Sequence, residues 1–185
     1  MSIYGLVLRF LSVSKPLLPA RWRLPIRYRG LLSSASVEPE LAYLYSICRH
    51  FRTAVDVGAN HGFYSYKMAK RFQDVYAFEP NGEEDFDIQY FKKTNIHFFS
   101  YGLSNQNQKA ELHIPVKHGT PYTGWASVGK RELDFAESVV STPIELQRLD
   151  DQGFVKTHTV DPMWKDTNWR CCWAAWKPSG ATNQF

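Results

Sequence analysis

The sequence predicts an α/β fold built on a parallel sheet with helices on both faces. Three observations carry that expectation. Short apolar runs of β type recur at Thr53–Val57, Val75–Phe78 and Ile96–Ser100. Stretches of helical period lie between them, and strands alternating with helices at this spacing form βαβ units. The first run also closes in a glycine turn, Val57-Gly58-Ala59-Asn60-His61-Gly62, that leads into a helix.

The elements follow in order from the N-terminus. Residues 1–35 read as a basic and apolar extension: Arg9, Lys15, Arg21, Arg23, Arg27 and Arg29 occur within the first thirty residues, which contain no acid. Three readings stay open. A secretory signal fits the apolar run Ile3–Leu11, but Arg9 interrupts it and no clean cleavage site follows. An amphipathic segment on an anionic membrane surface is the second. An extension packed beside the domain is the third.

Residues 36–151 carry the regular pattern. Ser36 can cap a helix that Pro39 helps to start, with Leu41, Leu44, Tyr45 and Cys48 on one face. The strand Thr53–Val57 follows, then a helix over 64–71 and the buried strand Val75–Phe78, which ends in Glu79-Pro80. Asn81 can cap a helix running to about Lys92, and Ile96–Ser100 is a third strand. Beyond Tyr101 the character shifts. Ala110–Val116 alternates like an exposed strand, Gly119–Gly124 is a loop, and Ser141–Leu149 is extended.

Composition narrows the class. A chain of 185 residues with 44% hydrophobic and 15% aromatic content can bury one continuous core. No stretch reaches the ~18 apolar residues of a membrane span. Cys48, Cys171 and Cys172 fit neither a disulfide framework nor a zinc pattern, and a reducing cytoplasm is the simplest setting. The net charge of +4 is mild, and the basic N-terminus lacks a nucleic-acid motif, so no nucleic-acid partner is expected. His61, His97, His113 and His118 match no metal-ligand spacing, and no metal site is expected.

The glycine turn carries the chemistry. It sits where the first strand meets the first crossover helix, the place at which open α/β sheets bind ligands. Gly58 permits a sharp turn and close approach of backbone to a ligand, and Gly62 does the same at the helix start. Asp56, at the carboxyl end of its strand, is placed to accept hydrogen bonds from a cationic or hydroxylated ligand. Glu79 lies 23 residues further on, at the tip of the second strand, where an acid can grip both hydroxyls of a ribose. Two acids beside the turn suit a ribose and a positive centre, and suit a pyrophosphate poorly. The three-glycine dinucleotide fingerprint is missing, which argues against NAD.

Taken in order, Val55–Ser65, Val75–Asn81 and Tyr101-Gly102-Leu103-Ser104-Asn105 resemble the FkbM-type methyltransferases, over roughly Leu41 to Asp151. The resemblance implies a Rossmann-like class I fold, S-adenosyl-L-methionine as cofactor, and a small-molecule or glycan hydroxyl as methyl acceptor. It implies that Asp56, Gly58, Asn60 and Gly62, with Ala59 in the same run, surround the methionine part of the cofactor. Glu79 would hold the ribose and Ser104 would lie near the adenine. Plainer roles stand beside these: Asn60 as a helix cap, Ser104 as a stabiliser of its turn, the glycines as turn glycines. The loop Gly119–Ser127, with Tyr122 and Trp125, is either a place for a sugar to stack or a surface aromatic loop. No catalytic base can be named.

Residues 152–185 depart from the pattern. Members of the resembling family continue after Leu-Asp-Asp, here Leu149-Asp150-Asp151, into a buried strand ending in Asp-Val-Glu-Gly-His-Glu and then a leucine-rich helix. From Val155 onward this chain has no Leu, Ile or Glu, while Trp164, Trp169, Trp173 and Trp176 crowd into it. Regrouping each codon from Pro162 to begin at the third base of its predecessor permits Met163–Thr167 to read Asp, Val, Glu, Gly, and His or Tyr, with the Val and Glu forced. The next triplets permit Glu, and then Leu, Ala or Glu, an apolar residue, Leu, Leu and Gly. The expectation is an out-of-frame segment over 162–185 and a sheet incomplete at the C-terminus, with a divergent natural tail as the rival. Neither simple shift restores the residues between Asp151 and Pro162. Two functions remain: an O-methyltransferase, cytoplasmic or peripheral to a membrane, and a non-catalytic remnant or nucleotide-binding interaction module.

Overall fold

The computed structural model describes residues 19–33, 39–48, 51–81, 95–129 and 134–152. The element order is α1 (Ala20–Ser33), α2 (Pro39–Ile47), β1 (Thr53–Val57), α3 (Phe63–Met68), β2 (Asp74–Phe78), β3 (Ile96–Phe99), β4 (Gly102–Ser104), β5 (Gln108–Lys117), β6 (Thr120–Pro121) and β7 (Ser138–Arg148). Two 3₁₀ turns, Thr123–Trp125 and Leu149–Asp151, complete it.

Strands β1, β2 and β3 form a parallel sheet in that order. Its register pairs Ala54 with Val75 and Val75 with Ile96, so these three side chains share one face. That face carries the main core: Ala54 and Val75 pack with Leu44 and Cys48 from the α2 segment, with Met68 of α3, and with Ala69 and Phe72 beyond it. The expected apolar stripe of α2 thus faces the sheet. Lys67 of α3 donates to the carbonyl oxygens of Leu41 and Ala42, which ties the two helices together. Tyr28 of α1 packs against Phe63 and Tyr66 of α3, with ring centroids 6.4 and 5.1 Å apart.

The opposite face is aromatic. Tyr76 stacks on His97 at 4.7 Å and Phe78 on Phe99 at 4.8 Å, because the register sets each pair side by side. Tyr101, Leu103 and Leu149 cover its carboxyl end. Helices on both faces were expected; among the described residues α2 and α3 cover the Ala54–Val75 face and α1 packs on α3. The second crossover helix, expected over 81–92, lies outside the described residues, as do Ser36 and nearly all of the chain from 152 to 185.

The remaining strands make a separate sheet of order β4-β7-β5-β6. β5 and β7 run antiparallel over nine residue pairs, from Gln108–Leu146 to Val116–Ser138, while β4 joins β7 in parallel. Leu112, Ile114, Ile144 and Leu146 form its buried cluster. Three expectations change here. The strand expected from Ser141 begins at Ser138, because Ser138, Val139 and Val140 find partners in Val116, Pro115 and Ile114. The helix expected over 64–71 ends at Met68, and the chain turns back so that Gln73 donates its N–H to the carbonyls of Phe51 and Arg52. Ser104 lies in a short strand rather than a turn.

Gly102 shows why the two sheets meet where they do. A Cβ at that position would stand 2.6 Å from Leu146 Cδ2 and 3.4 Å from Pro80 Cγ. The missing side chain lets β4 lie against the exit of β2, directly after Glu79.

Candidate functional site

The site is built from the carboxyl ends of β1 and β2. Phe78, the last residue of β2, offers its carbonyl to the N–H groups of both Gly58 and Ala59, at 2.9 and 3.0 Å. Gly62 donates to the carbonyl of Ala59 at 2.7 Å. The turn therefore satisfies its own backbone, as a partly buried segment must. It does so through three positive φ angles: 74° at Gly58, 45° at Asn60 and 77° at Gly62. Glycine adopts that region freely and asparagine tolerates it, so the sequence Gly-Ala-Asn-His-Gly is matched to this path.

Glu79 locks the turn from the side. Its Oε2 accepts from the Asn60 N–H at 2.8 Å and its Oε1 from the Asn81 N–H at 2.9 Å. The side chain is buried, and burial raises its pKa. The hydrogen bonds from Asn81 and Asn60 pull the other way, and the charge of Asp56 adds to the rise. An ionised carboxylate has about four lone-pair sites. Two are occupied by backbone donors, so Glu79 keeps acceptor capacity.

Beside it stands an orphan. Asn81 is buried, and its Oδ1 has no hydrogen-bond partner among the described residues. A buried acceptor left unpaired costs about 1–3 kcal/mol. Glu79 and Asn81 together make a pair of acceptors at the strand tip that neighbouring hydroxyl or amino donors would satisfy.

Asp56 faces elsewhere. Its Oδ2 accepts from Ser65 Oγ at 2.5 Å, and only 2% of the residue is exposed. Burial pushes its pKa from 3.8 up to about 6 against the opposing pull of the Ser65 hydrogen bonds. Asp56 thus clamps β1 to α3, and the carboxylate is held under the turn. Ala59 is buried against Ala77, flooring the turn on β2.

Asn60 does not cap the helix: the residue before α3 is Gly62, and it makes no side-chain cap. The Asn60 side chain instead reaches the 3₁₀ turn of the second sheet, where Thr123 Oγ1 donates to Asn60 Oδ1 at 3.3 Å. Gly124 faces the same amide, its open Cβ position 3.6 Å from Asn60 Nδ2. This contact brings the aromatic loop over the glycine turn. Tyr122 and Trp125 are exposed, and Phe135 packs edge-on to both, at 6.0 and 5.3 Å between centroids.

The structure thus gathers Gly58, Ala59, Asn60, Gly62 and Glu79 around one turn, with Asp56 beneath it. Ser104 sits two residues beyond Gly102 on β4, its Oγ 3.3 Å from Asn105 Oδ1. From sequence, Thr123 is not singled out, Asn81 reads only as a helix cap and part of a family motif, and Gly102 only as part of another. The signal Gly102 gives is its place inside a strand-like stretch, since such a glycine often marks close backbone approach.

His97 lies away from the turn. It pairs with Asp74 at 2.9 Å, four residues and about 13 Å before the end of β2. His113 and His118 are engaged with Ser141 and Glu137. Among the described residues no group of three His, Cys, Asp or Glu could hold a metal ion.

The family described as the methyltransferase FkbM domain matches residues 56–167, more than half of the chain. The chain belongs to the FkbM methyltransferase family. The match begins at Asp56 itself, takes in the glycine turn, Glu79 and the second sheet, and runs sixteen residues past Asp151. No curated protein matches this chain. A solved structure, that of a provisionally assigned type II methyltransferase from Anaeromyxobacter dehalogenans, is similar at 20% identity with a TM-score of 0.28. The similarity covers 35% of this chain and 26% of that one, so the chain spans about a quarter of its length.

Proposed function

We propose that this FkbM-family chain is built on the Rossmann-like class I plan and uses S-adenosyl-L-methionine to methylate a hydroxyl group of a sugar or natural product. The observation that carries the reading is the acceptor pair at the tip of β2. Glu79 keeps acceptor capacity beyond its two backbone donors, one of them in the glycine turn, and beside it Asn81 Oδ1 has no partner among the described residues. Vicinal ribose hydroxyls supply the donors that such a pair lacks. The nearby negative charge of Glu79, with Asp56 below, favours a positively charged ligand.

When bound, S-adenosylmethionine supplies an electrophilic methyl group. The chain's own residues do the positioning. Glu79 and Asn81 hold hydroxyls, the glycine turn admits a ligand without Cβ atoms in its way, and Asp56 with Ser65 fixes the turn to α3. The loop of Tyr122 and Trp125, pinned to Asn60 by Thr123, supplies aromatic faces on which a sugar ring can stack. A hydroxyl carried on such a ring is the acceptor this arrangement favours.

The tail enters the same proposal. Residues 162–185 read as out of frame, and regrouping their codons forces the Val and Glu, and permits the Asp and Gly, of an Asp-Val-Glu-Gly pattern. The test is calorimetric titration with S-adenosylmethionine of two chains, one as written and one carrying the regrouped frame from Pro162 onward. Saturable binding is expected in the regrouped chain, weakened at least about tenfold by Glu79→Ala, which removes a charge-assisted pair of hydrogen bonds. The chain as written is expected to show no saturable binding. Absence of binding in both sinks the cofactor reading, whereas tight binding by the chain as written sinks only the claim about the tail.

A further inference from the structure

Helix α1 has two dissimilar faces. Leu24 and Tyr28, one turn apart, are buried. They hold the helix on the domain: Tyr28 packs on Phe63 and Tyr66, Lys70 Nζ lies 5.2 Å from the Tyr28 ring centre, and the Arg27 guanidinium lies 5.9 Å from that of Phe63. At 3.6 residues per turn Trp22 and Arg29 share the side away from Leu24 and Tyr28, while Leu32, one turn beyond Tyr28, and Arg21 lie on the edge between the two sides. Trp22 is 50% and Leu32 47% exposed, and Arg29 and Arg21 are exposed beside them. The helix contains no acid, and neither does the sequence before it, which adds Arg9 and Lys15.

The combination is chemically selective. A solvated basic helix needs no exposed indole and leucine beside its arginines. A nucleic acid would take the arginines and leave Trp22 and Leu32 without a role. An anionic lipid surface uses all of them: indole rings favour the headgroup level, leucine enters the acyl boundary, and arginine extends to the phosphates. We propose that the Trp22–Arg29–Leu32 face of α1 docks on an anionic lipid surface. The helix lies in the plane of that surface, for no helix of the described residues is long and apolar enough to cross a membrane.

Docking has a consequence for the site. Phe63, against which α1 packs, directly follows Gly62, so the docked helix holds the glycine turn near the lipid boundary. The inference itself rests on the face of α1 and stands apart from the choice of cofactor.

The test is co-sedimentation of the full chain with large vesicles of phosphatidylcholine alone and of phosphatidylcholine with about a third phosphatidylserine. The expected result is binding to the anionic vesicles only, lost at high salt. Arg21→Glu with Arg29→Glu should lower partitioning at least about tenfold, since each basic residue near such a surface favours it about fivefold. Trp22→Ala with Leu32→Ala should lower it too, with far-ultraviolet circular dichroism unchanged in both pairs. Equal binding to both vesicle types, no binding to either, or indifference to both pairs would overturn the proposal. Retention by a DNA duplex without vesicle binding would assign the arginines to nucleic acid and overturn it as well.

Discussion

Replacing Asp56 by asparagine separates the electrostatics of the clamp beneath the glycine turn from its shape. Asp56 is buried and bound to Ser65, and its pKa stands at about 6 against a reference of 3.8. Between those values the folded chain binds a proton that the unfolded chain has released. Stability from this group is therefore greatest below about pH 4, falls as pH rises through the window to about 6, and is level above it. The gap of about two pH units corresponds to about 3 kcal/mol at 1.36 kcal/mol per unit. In Asp56→Asn the new side chain cannot ionise. Its carbonyl oxygen still accepts from Ser65, and whatever its amide hydrogens lose is independent of pH. The stability difference, variant minus parent, should therefore rise by about 3 kcal/mol from pH 4 to pH 7. Glu79, also raised by burial, slopes the same way in both chains, less so in the variant because the Asp56 charge is one cause of its rise. Urea unfolding followed by circular dichroism across that range reads the difference. Two stability curves that run parallel would refute the reasoning, since they would mean that Asp56 bears no buried charge.

Three further outcomes follow from single contacts. Gly102→Ala places a methyl group 2.6 Å from Leu146 Cδ2, so the urea midpoint should drop by the equivalent of about 1–3 kcal/mol; an unchanged midpoint would mean that β4 does not lie against Leu146 and Pro80. A double-mutant cycle between Thr123→Val and Asn60→Ala should return a coupling of roughly 0.5–1 kcal/mol, and zero coupling would detach the aromatic loop from the glycine turn. Sequencing the gene across the codons for Leu149 to Phe185 and beyond should reveal an inserted or deleted base, and a confirmed reading with no base gained or lost would make the tail a natural one.

What was legible in the sequence was local. Thr53–Val57 is a strand with the predicted bounds because its apolar run ends in a glycine whose φ must be positive. The stripe Leu41, Leu44, Tyr45 and Cys48 announced the inward side of α2 through helical period alone, with Tyr45 only partly buried. Pairing was another matter. Ser138-Val139-Val140 carries β-branched residues but no apolar–polar alternation, and all three are exposed; their structure comes from the ladder with β5, which lies more than twenty residues away in sequence. The second sheet was missed as a unit for the same reason. In the site, the glycines and Glu79 lie at element ends that periodicity can find, whereas the Thr123–Asn60 contact joins residues 63 apart and has no local signature.

The hydrogen bond from Ser65 to Asp56 bears on how the turn is held. An acid at the end of β1 looks, on spacing alone, like a ligand group equivalent to Glu79. Their surroundings divide them. Asp56 spends its carboxylate on Ser65, whose helix begins at the turn, and so converts a strand-to-helix junction into a fixed shape. Glu79 spends its own on two backbone N–H groups, those of Asn60 and Asn81, and retains acceptor capacity beside the turn. One acid therefore sets the geometry that the other presents. Loss of Asp56 should loosen the turn without removing the acceptors, while loss of Glu79 should remove acceptors and free the Asn60 N–H at once. That asymmetry is why the Glu79 substitution tests binding and the Asp56 substitution tests stability.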